Sequence, residues 1–336
     1  MTTTRRPILL LVNPVSGGKP TAPGGTTERL DPAEMGERLA ALGLSVEVHL
    51  LEQEDDVGAL AARAAAVGRD VVAAGGDGTI RPAASAVAGT DATLGIVPLG
   101  SWNNIARGVG LPDDPADAIA LIGSGGTRLI DVGLAWHPPV ADEADAGGPP
   151  PNDAMQFFEA AGVGLDAVGF GAAQAGERHG LWRALRSAWR ALRKRRTRMM
   201  LTVDGRRLRT AAPAVTICNG PYHGMGFALA PDADPSDGML DVVVFSGMTR
   251  WDVIRHFLAV ARGRPRHEPR VNRTTARSIH IAGERRTLPV HADGESIGTT
   301  PVAFAVRPAA LRIFAAESQL PGSPLAAAAS APNTRA

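Results

Sequence analysis

The sequence predicts an α/β fold in two parts: a parallel sheet flanked by helices, then a second, mostly antiparallel β domain. Three observations predict it. The first third alternates apolar strand-like runs with helical segments, the pattern of a parallel sheet covered by helices. From about Leu129 short strands dominate. The length, 336 residues, suffices for two modest domains with a core each.

Residues 7–12 open the sheet, because Ile8-Leu9-Leu10-Leu11-Val12 is apolar without alternation, as in a strand buried on both faces. The turn Asn13-Pro14-Val15-Ser16-Gly17-Gly18-Lys19 follows, then a polar Pro/Gly loop to about Pro32. Residues 33–42 read as a helix ended by Gly43, 45–51 as a strand, and 55–67 as an Ala-rich helix stopped by Gly68. Residues 70–74 form another buried strand that runs into Gly75-Gly76-Asp77-Gly78-Thr79. A helix is expected to begin near Ile80, with Thr79 as its N-cap. A strand at 94–98 and a helix at 114–122 extend the pattern. Beyond it, strands are expected at 155–160, 199–203, 214–218, 240–245 and 278–282, with helical stretches near 177–195 and 250–262. The Pro-, Gly- and acid-rich stretch 138–153 reads as a surface loop, and the Pro/Ala/Ser-rich tail 320–336 as disordered.

Composition excludes several classes. One cysteine, Cys218, leaves no disulfide framework and no multi-cysteine metal site. The longest apolar runs are far too short to span a bilayer, so a soluble, cytoplasmic protein is expected, meeting a membrane only from outside. The net charge of +1 says little about partners; the basic cluster near 178–198 carries no recognised nucleic-acid-binding module, so no nucleic-acid partner is expected.

Chemistry concentrates in three places. A buried strand running into Gly75-Gly76-Asp77-Gly78-Thr79 suits phosphate: glycines permit close approach, and the amides of a helix N-terminus attract anions. A tight βα turn that binds nothing would look the same. Asp293-Gly294-Glu295 offers a carboxylate for general-base work, although Asp-Gly is also an ordinary hairpin pair. Asp234, Asp237 and Asp241 precede a strand and present hard oxygens suited to Mg²⁺ or Ca²⁺, or else form a solvated turn.

Six stretches in order resemble the diacylglycerol kinase catalytic-domain family, which includes bacterial lipid kinases and sphingosine kinases. They are Asn13-Pro14-Val15-Ser16-Gly17-Gly18, Gly75 to Thr79, Pro98-Leu99-Gly100-Ser101-Trp102-Asn103-Asn104-Ile105-Ala106-Arg107, Gly162-Val163-Gly164-Leu165-Asp166-Ala167, Ala230-Pro231 through Asp241, and His291 through Glu295. The resemblance implies an ATP-binding α/β domain at 7–133, rejoined by a strand from about 303–316. It implies a β-sandwich lipid-substrate domain at 134–302, with the active site in the cleft between the two. Gly75, Gly76, Asp77, Gly78 and Thr79 would cradle ATP with Asn13, Gly100, Ser101 and Asn103. Asp293 would be the general base, with Glu295 nearby and Asp77 as its rival. The implied reaction passes the γ-phosphate of ATP, with Mg²⁺, to a hydroxyl of diacylglycerol, a sphingoid base or a related lipid. Such transfer needs positioning and charge neutralisation more than covalent help. A structural metal at Asp234 and Asp237 is also implied, against which Ser236 stands where an acidic residue is usual. Pro82 replaces a usual Glu, Trp102 a small residue and Asn104 a common Asp. Two rival readings share the glycine motif: an NAD kinase, and a nucleotide-binding membrane regulator without turnover.

Between Arg178 and Arg198, seven basic residues oppose a face of Leu181, Trp182, Leu185, Ala188, Trp189 and Leu192. This pattern suits peripheral contact with an anionic membrane, and equally a helix that packs its apolar face inward. Nothing in the sequence speaks to oligomeric state.

Overall fold

The computed structural model describes residues 5–16, 30–139, 148–165, 198–224, 226–261 and 268–316. In chain order the first elements are β1 (Ile8–Val12), α1 (Pro32–Ala41), β2 (Val46–Leu50), α2 (Val57–Ala66), β3 (Asp70–Gly75), α3 (Asp77–Val87), β4 (Thr93–Pro98), α4 (Asn104–Gly108), α5 (Pro115–Ser124) and β5 (Thr127–Trp136). There follow β6 (Met155–Phe157), β7 (Ala160–Gly164), β8 (Arg198–Val203), β9 (Arg206–Ala211), β10 (Ala214–Cys218), β11 (Tyr222–His223), β12 (Phe227–Ala228) and β13 (Leu240–Phe245). The last are α6 (Arg250–Ala261), β14 (Val271–Ala276), β15 (Ser278–Gly283), β16 (Pro289–Ala292), β17 (Glu295–Thr299) and β18 (Val302–Phe314). Residues up to Ile130, with those from Ala309, form one compact unit; Asp131–Pro308 form another.

The first unit is a parallel sheet in the order β2-β1-β3-β4-β18. Alternate residues of β1 and β3 (Ile8, Leu10, Val12, Val72, Ala74) join Met35 and Leu39 of α1 and Ile119 and Ile122 of α5 in one core. The intervening residues Leu9, Leu11, Val71 and Ala73 are buried too, which is why these strands read as unbroken apolar runs. The helices start where their sequences direct. Asp31, Asp56 and Asp114 each accept a first-turn amide, and prolines open α1 and α5.

The second unit packs two layers of antiparallel strands. One is β14-β13-β10-β7-β16-β17; the other runs from the first half of β18 through β15 and β8 to the edge strand β9. Leu201, Ile281 and Phe304 of one layer share a core with Val163, Val215 and Val290 of the other. Phe157 meets Phe304 edge to face at 6.3 Å. Strand β18 thus serves both units, pairing Val302–Ala305 with β15 and Arg312–Ile313 with β4.

Two expectations need correction. The strand expected over 155–160 is two strands, broken at Phe158–Glu159. No element is expected between residues 98 and 114, and α4 lies there. The helix expected near 177–195 and the tail lie outside the described residues, as does nearly all of the basic 178–198 stretch. No helix among the described residues is long and apolar enough to cross a membrane.

Candidate active site

In the first unit the carboxyl ends of β1, β3 and β4 lie side by side, the edge of a parallel sheet where ligands bind. Helix α3 starts directly after β3. Gly76, in extended conformation, is its N-cap, so the helix begins three residues before the expected Ile80. Thr79 is therefore not the cap: its amide donates to the Gly76 carbonyl at 2.8 Å, and its hydroxyl accepts from Asn13 Nδ2 at 3.1 Å. Asn13 Oδ1 in turn accepts the Val15 amide, so this one side chain ties the end of β1 to the first turn of α3. Pro82, expected in a first turn, falls inside the helix, where it has no N–H for the Gly78 carbonyl.

The glycines divide by purpose. A Cβ on Gly100 would lie 2.6 Å from the Gly76 Cα, so the two loops touch backbone to backbone. A Cβ on Gly75 would strike Thr79. A Cβ on Gly78 would meet nothing, so packing does not require glycine there and the helix face stands open. That open face, at the N-terminus of a helix, fits a phosphate chain. Asn103, at φ 48°, accepts the Gly100 amide at 2.9 Å and donates to the Gly100 carbonyl at 3.0 Å, closing its own loop. Ser101 and Trp102 are exposed.

Asp77 accepts the amides of Asn104 and Ile105, each at 3.1 Å, one on each carboxylate oxygen. It thereby caps α4, and its charge suits that helix's N-terminus. Burial pushes its carboxyl up from the usual range, against the pull of these amides.

In the second unit Asp293 and Gly294 form the turn between β16 and β17, both left-handed (φ 42° and 78°), as an Asp-Gly hairpin pair adopts. The turn does more than reverse the chain. Asp293 Oδ2 accepts the Phe158 amide at 2.8 Å, and Oδ1 accepts those of Glu159 and Ala160 at 2.9 and 3.1 Å. These amides aim at a side chain, which is the physical reason for the break between β6 and β7. Asn219 pins the same bend from behind. Its amide donates to the Glu159 carbonyl at 2.9 Å, and its Nδ2 to the carbonyls of Phe158 and Asp131. Glu159, only 9% exposed, accepts the Gly224 amide at 3.3 Å, and the buried rings of His223 and His291 stack 5.5 Å apart. Glu295 is exposed at the start of β17. Sequence reasoning missed Glu159, Asn219 and His223. Only the turn pair Asn219-Gly220 gave any signal.

The acidic turn is internally bonded. Asp234 accepts the amide and hydroxyl of Ser236, Asp237 the amide of Met239, and Asp131 the amide of Gly238. Burial, then the charges of Asp234 and Asp131, push the Asp237 carboxyl up; burial and Asp237 do the same to Asp241. Among the described residues no three acidic, His or Cys side chains are arranged to hold a metal ion.

Residues 7–135 match the family model described as diacylglycerol kinase catalytic domain. Residues 160–315 match that of the YegS C-terminal NAD kinase beta sandwich-like domain. A protein of Mycobacterium tuberculosis (strain ATCC 25618 / H37Rv) named "Diacylglycerol kinase" is 30% identical over 283 residues, 82% of this chain and 87% of the relative. The chain belongs to the diacylglycerol kinase family. Within that family, a Pseudomonas aeruginosa PAO1 protein named "Probable lipid kinase YegS-like" is 31% identical over 287 residues, 84% of this chain and 87% of its own. The diacylglycerol kinase fold is seen in a crystal structure from Bacillus anthracis str. Sterne, with a TM-score of 0.68 at 20% identity, over 95% of this chain and 100% of that one. Asp77 lies in the segment matching the catalytic-domain model, and Asp293 in the segment matching the C-terminal one.

Proposed function

We propose that the protein is a kinase that moves the γ-phosphate of ATP onto a hydroxyl of diacylglycerol or a closely related lipid, at the cytoplasmic face of a membrane. The observation that carries this reading is Asp293, a carboxylate fixed by three main-chain amides at a hairpin tip. It occurs in a chain that matches both models of a lipid-kinase family. In this reading the first unit is the ATP-binding domain, with the return of β18, and most of the second is the lipid-substrate domain.

ATP, when bound, supplies the phosphoryl group. The first-turn amides of α3 and the open face at Gly78 hold its phosphates, while Asn13, Thr79, Gly76, Gly100 and Asn103 keep the two loops in place. Asp77, which caps α4, is a positioning residue. Asp293 orients the lipid hydroxyl and accepts its proton as the oxygen–phosphorus bond forms. Glu295, close in sequence and exposed, assists at the hydroxyl's approach. Among the described residues no three acidic, His or Cys side chains gather at Asp234 and Asp237 to hold a metal ion; Mg²⁺ would be held chiefly by the phosphates of ATP.

The test is incubation with γ-labelled ATP, Mg²⁺ and diacylglycerol in non-ionic micelles, followed by counting label in the organic phase. Labelled phospholipid supports the proposal. Conversion of NAD to NADP with no labelled lipid, or ATP binding with no transfer to lipids of several classes, overturns it.

A further inference from the structure

We propose that the edge strand β9 and the turn beside it dock the protein on an anionic lipid bilayer. The inference rests on the lipid-kinase reading for its purpose, but on separate residues for its geometry. Among the described residues strand β9 ends its layer and pairs with β8 alone, which leaves one row of its main-chain groups without a strand partner there. It carries Arg206, Arg207 and Arg209, all exposed. The turn from β15 to β16 adds exposed Arg285 and Arg286, and is tied to β8 by the Glu284 amide on the carbonyl of exposed Arg198.

Near these six arginines the described residues include two carboxylates that are already engaged. Glu284 pairs with Arg209 at 3.4 Å, and Asp204 accepts the amides of Arg277 and Ser278. Charges on an edge strand also prevent edge-to-edge pairing between copies. Arg285 and Arg286 lie off that edge, however, and protection of the edge does not account for them. Guanidinium groups and outward main-chain N–H groups together suit phosphate oxygens.

Two features favour a bilayer over a nucleic acid. Leu208, 54% exposed, lies on the same face of β9 as Arg206, between Arg207 and Arg209 in sequence, and can enter the headgroup boundary while the arginine heads stay in water. None of the six positions or Leu208 is aromatic, so the strip offers no platform for stacked bases. The turn bearing Arg285 and Arg286 leads into β16, which delivers Asp293 after four residues. At about 3.3 Å per residue, that is roughly 13 Å along the strand, within the length of a lipid still seated in the bilayer.

The deciding measurement is co-sedimentation of the full chain, without ATP, with phosphatidylcholine vesicles containing roughly one-third phosphatidylglycerol. Pure phosphatidylcholine vesicles and a DNA duplex serve as the comparisons. At about fivefold per arginine, joint Arg206→Gln, Arg207→Gln and Arg209→Gln should weaken vesicle binding on the order of a hundredfold. The same three positions changed to Lys should retain it. Arg285→Gln with Arg286→Gln, outside any strand, should weaken it about 25-fold and decides the matter if the β9 variant does not fold. Unchanged binding by the glutamine variants, equal binding to neutral vesicles, or a loss confined to DNA overturns the proposal. Because the readout needs no turnover, docking can fail while the micelle assay still labels lipid, and the reverse.

Discussion

Asp77 and Asp293 occupy similar sequence surroundings, an aspartate beside glycine just after an apolar strand, and both carboxylates bind main-chain amides. Their partners differ. Asp77 reaches 27 and 28 residues along the chain to the first amides of a helix. Asp293 reaches back 133 to 135 residues and gathers three amides from a broken strand. Asp77 completes a helix end in an ordinary backbone conformation. Asp293 is held at positive φ at a hairpin tip, and the chain entering the neighbouring strand β7 is bent to meet it. A carboxylate that caps a helix is replaceable by another cap; one that reshapes a strand around itself is not.

Asp293→Asn sharpens this contrast most. It should lower kcat by about 10²- to 10⁴-fold with ATP affinity nearly unchanged, while Asp77→Asn should mainly raise the KM for ATP. Steady-state kinetics of the two variants side by side would show it. Equal losses of kcat would make the two aspartates one catalytic unit. Gly100→Ala comes next, because its Cβ would press on the Gly76 backbone, which cannot swing aside. A loss of about 1–3 kcal/mol in denaturant unfolding is expected, with weaker ATP binding.

Gly78→Ala should move the other way. With open space and helical backbone at that position, alanine should stabilise by up to about 1 kcal/mol yet weaken ATP binding, separating packing from ligand approach in one substitution. The smallest effect concerns pH. Burial, then the charge of Arg207, holds His280 below the ordinary histidine value of 6.5; burial and Arg273 do the same to His256. The native protein then binds fewer protons than the unfolded chain below pH 6.5, so stability falls as pH drops from that value towards the folded pKa values. The slope is at most about 1.4 kcal/mol per pH unit for each ring, and His280→Gln should flatten it in chemical denaturation at several pH values.

How much of this was legible follows from how far each cause lies along the chain. β1 and β3 were readable because a strand buried on both faces needs apolar residues throughout. α1 and α5 were readable because each carries its own cap and terminal proline. The start of α3 was misplaced because glycines usually signal a break, whereas here Gly76 caps and Gly78 sits within the first turn. α4 is five residues long and its cap is Asp77, so its own stretch gave no sign. The bend at Phe158–Glu159 was illegible for the same reason on a larger scale, since the group that organises it arrives more than 130 residues later. Family resemblance marked Asp293 but not the supports behind it. Asn219 and Glu159 act through hydrogen bonds that no local pattern encodes.

Strand β18 has a consequence for biogenesis. Near its end, Arg312 and Ile313 complete the parallel sheet whose first strand begins at Ile8, so the first unit waits for a segment made after the whole of the second. A nascent chain leaving the ribosome at about 5–20 residues per second exposes the open edge of β4 for tens of seconds. In that interval the unit is a target for chaperones and for stray strand pairing. Severing the chain just before Val302 would therefore leave both units with an unfilled lane, rather than trimming one of them.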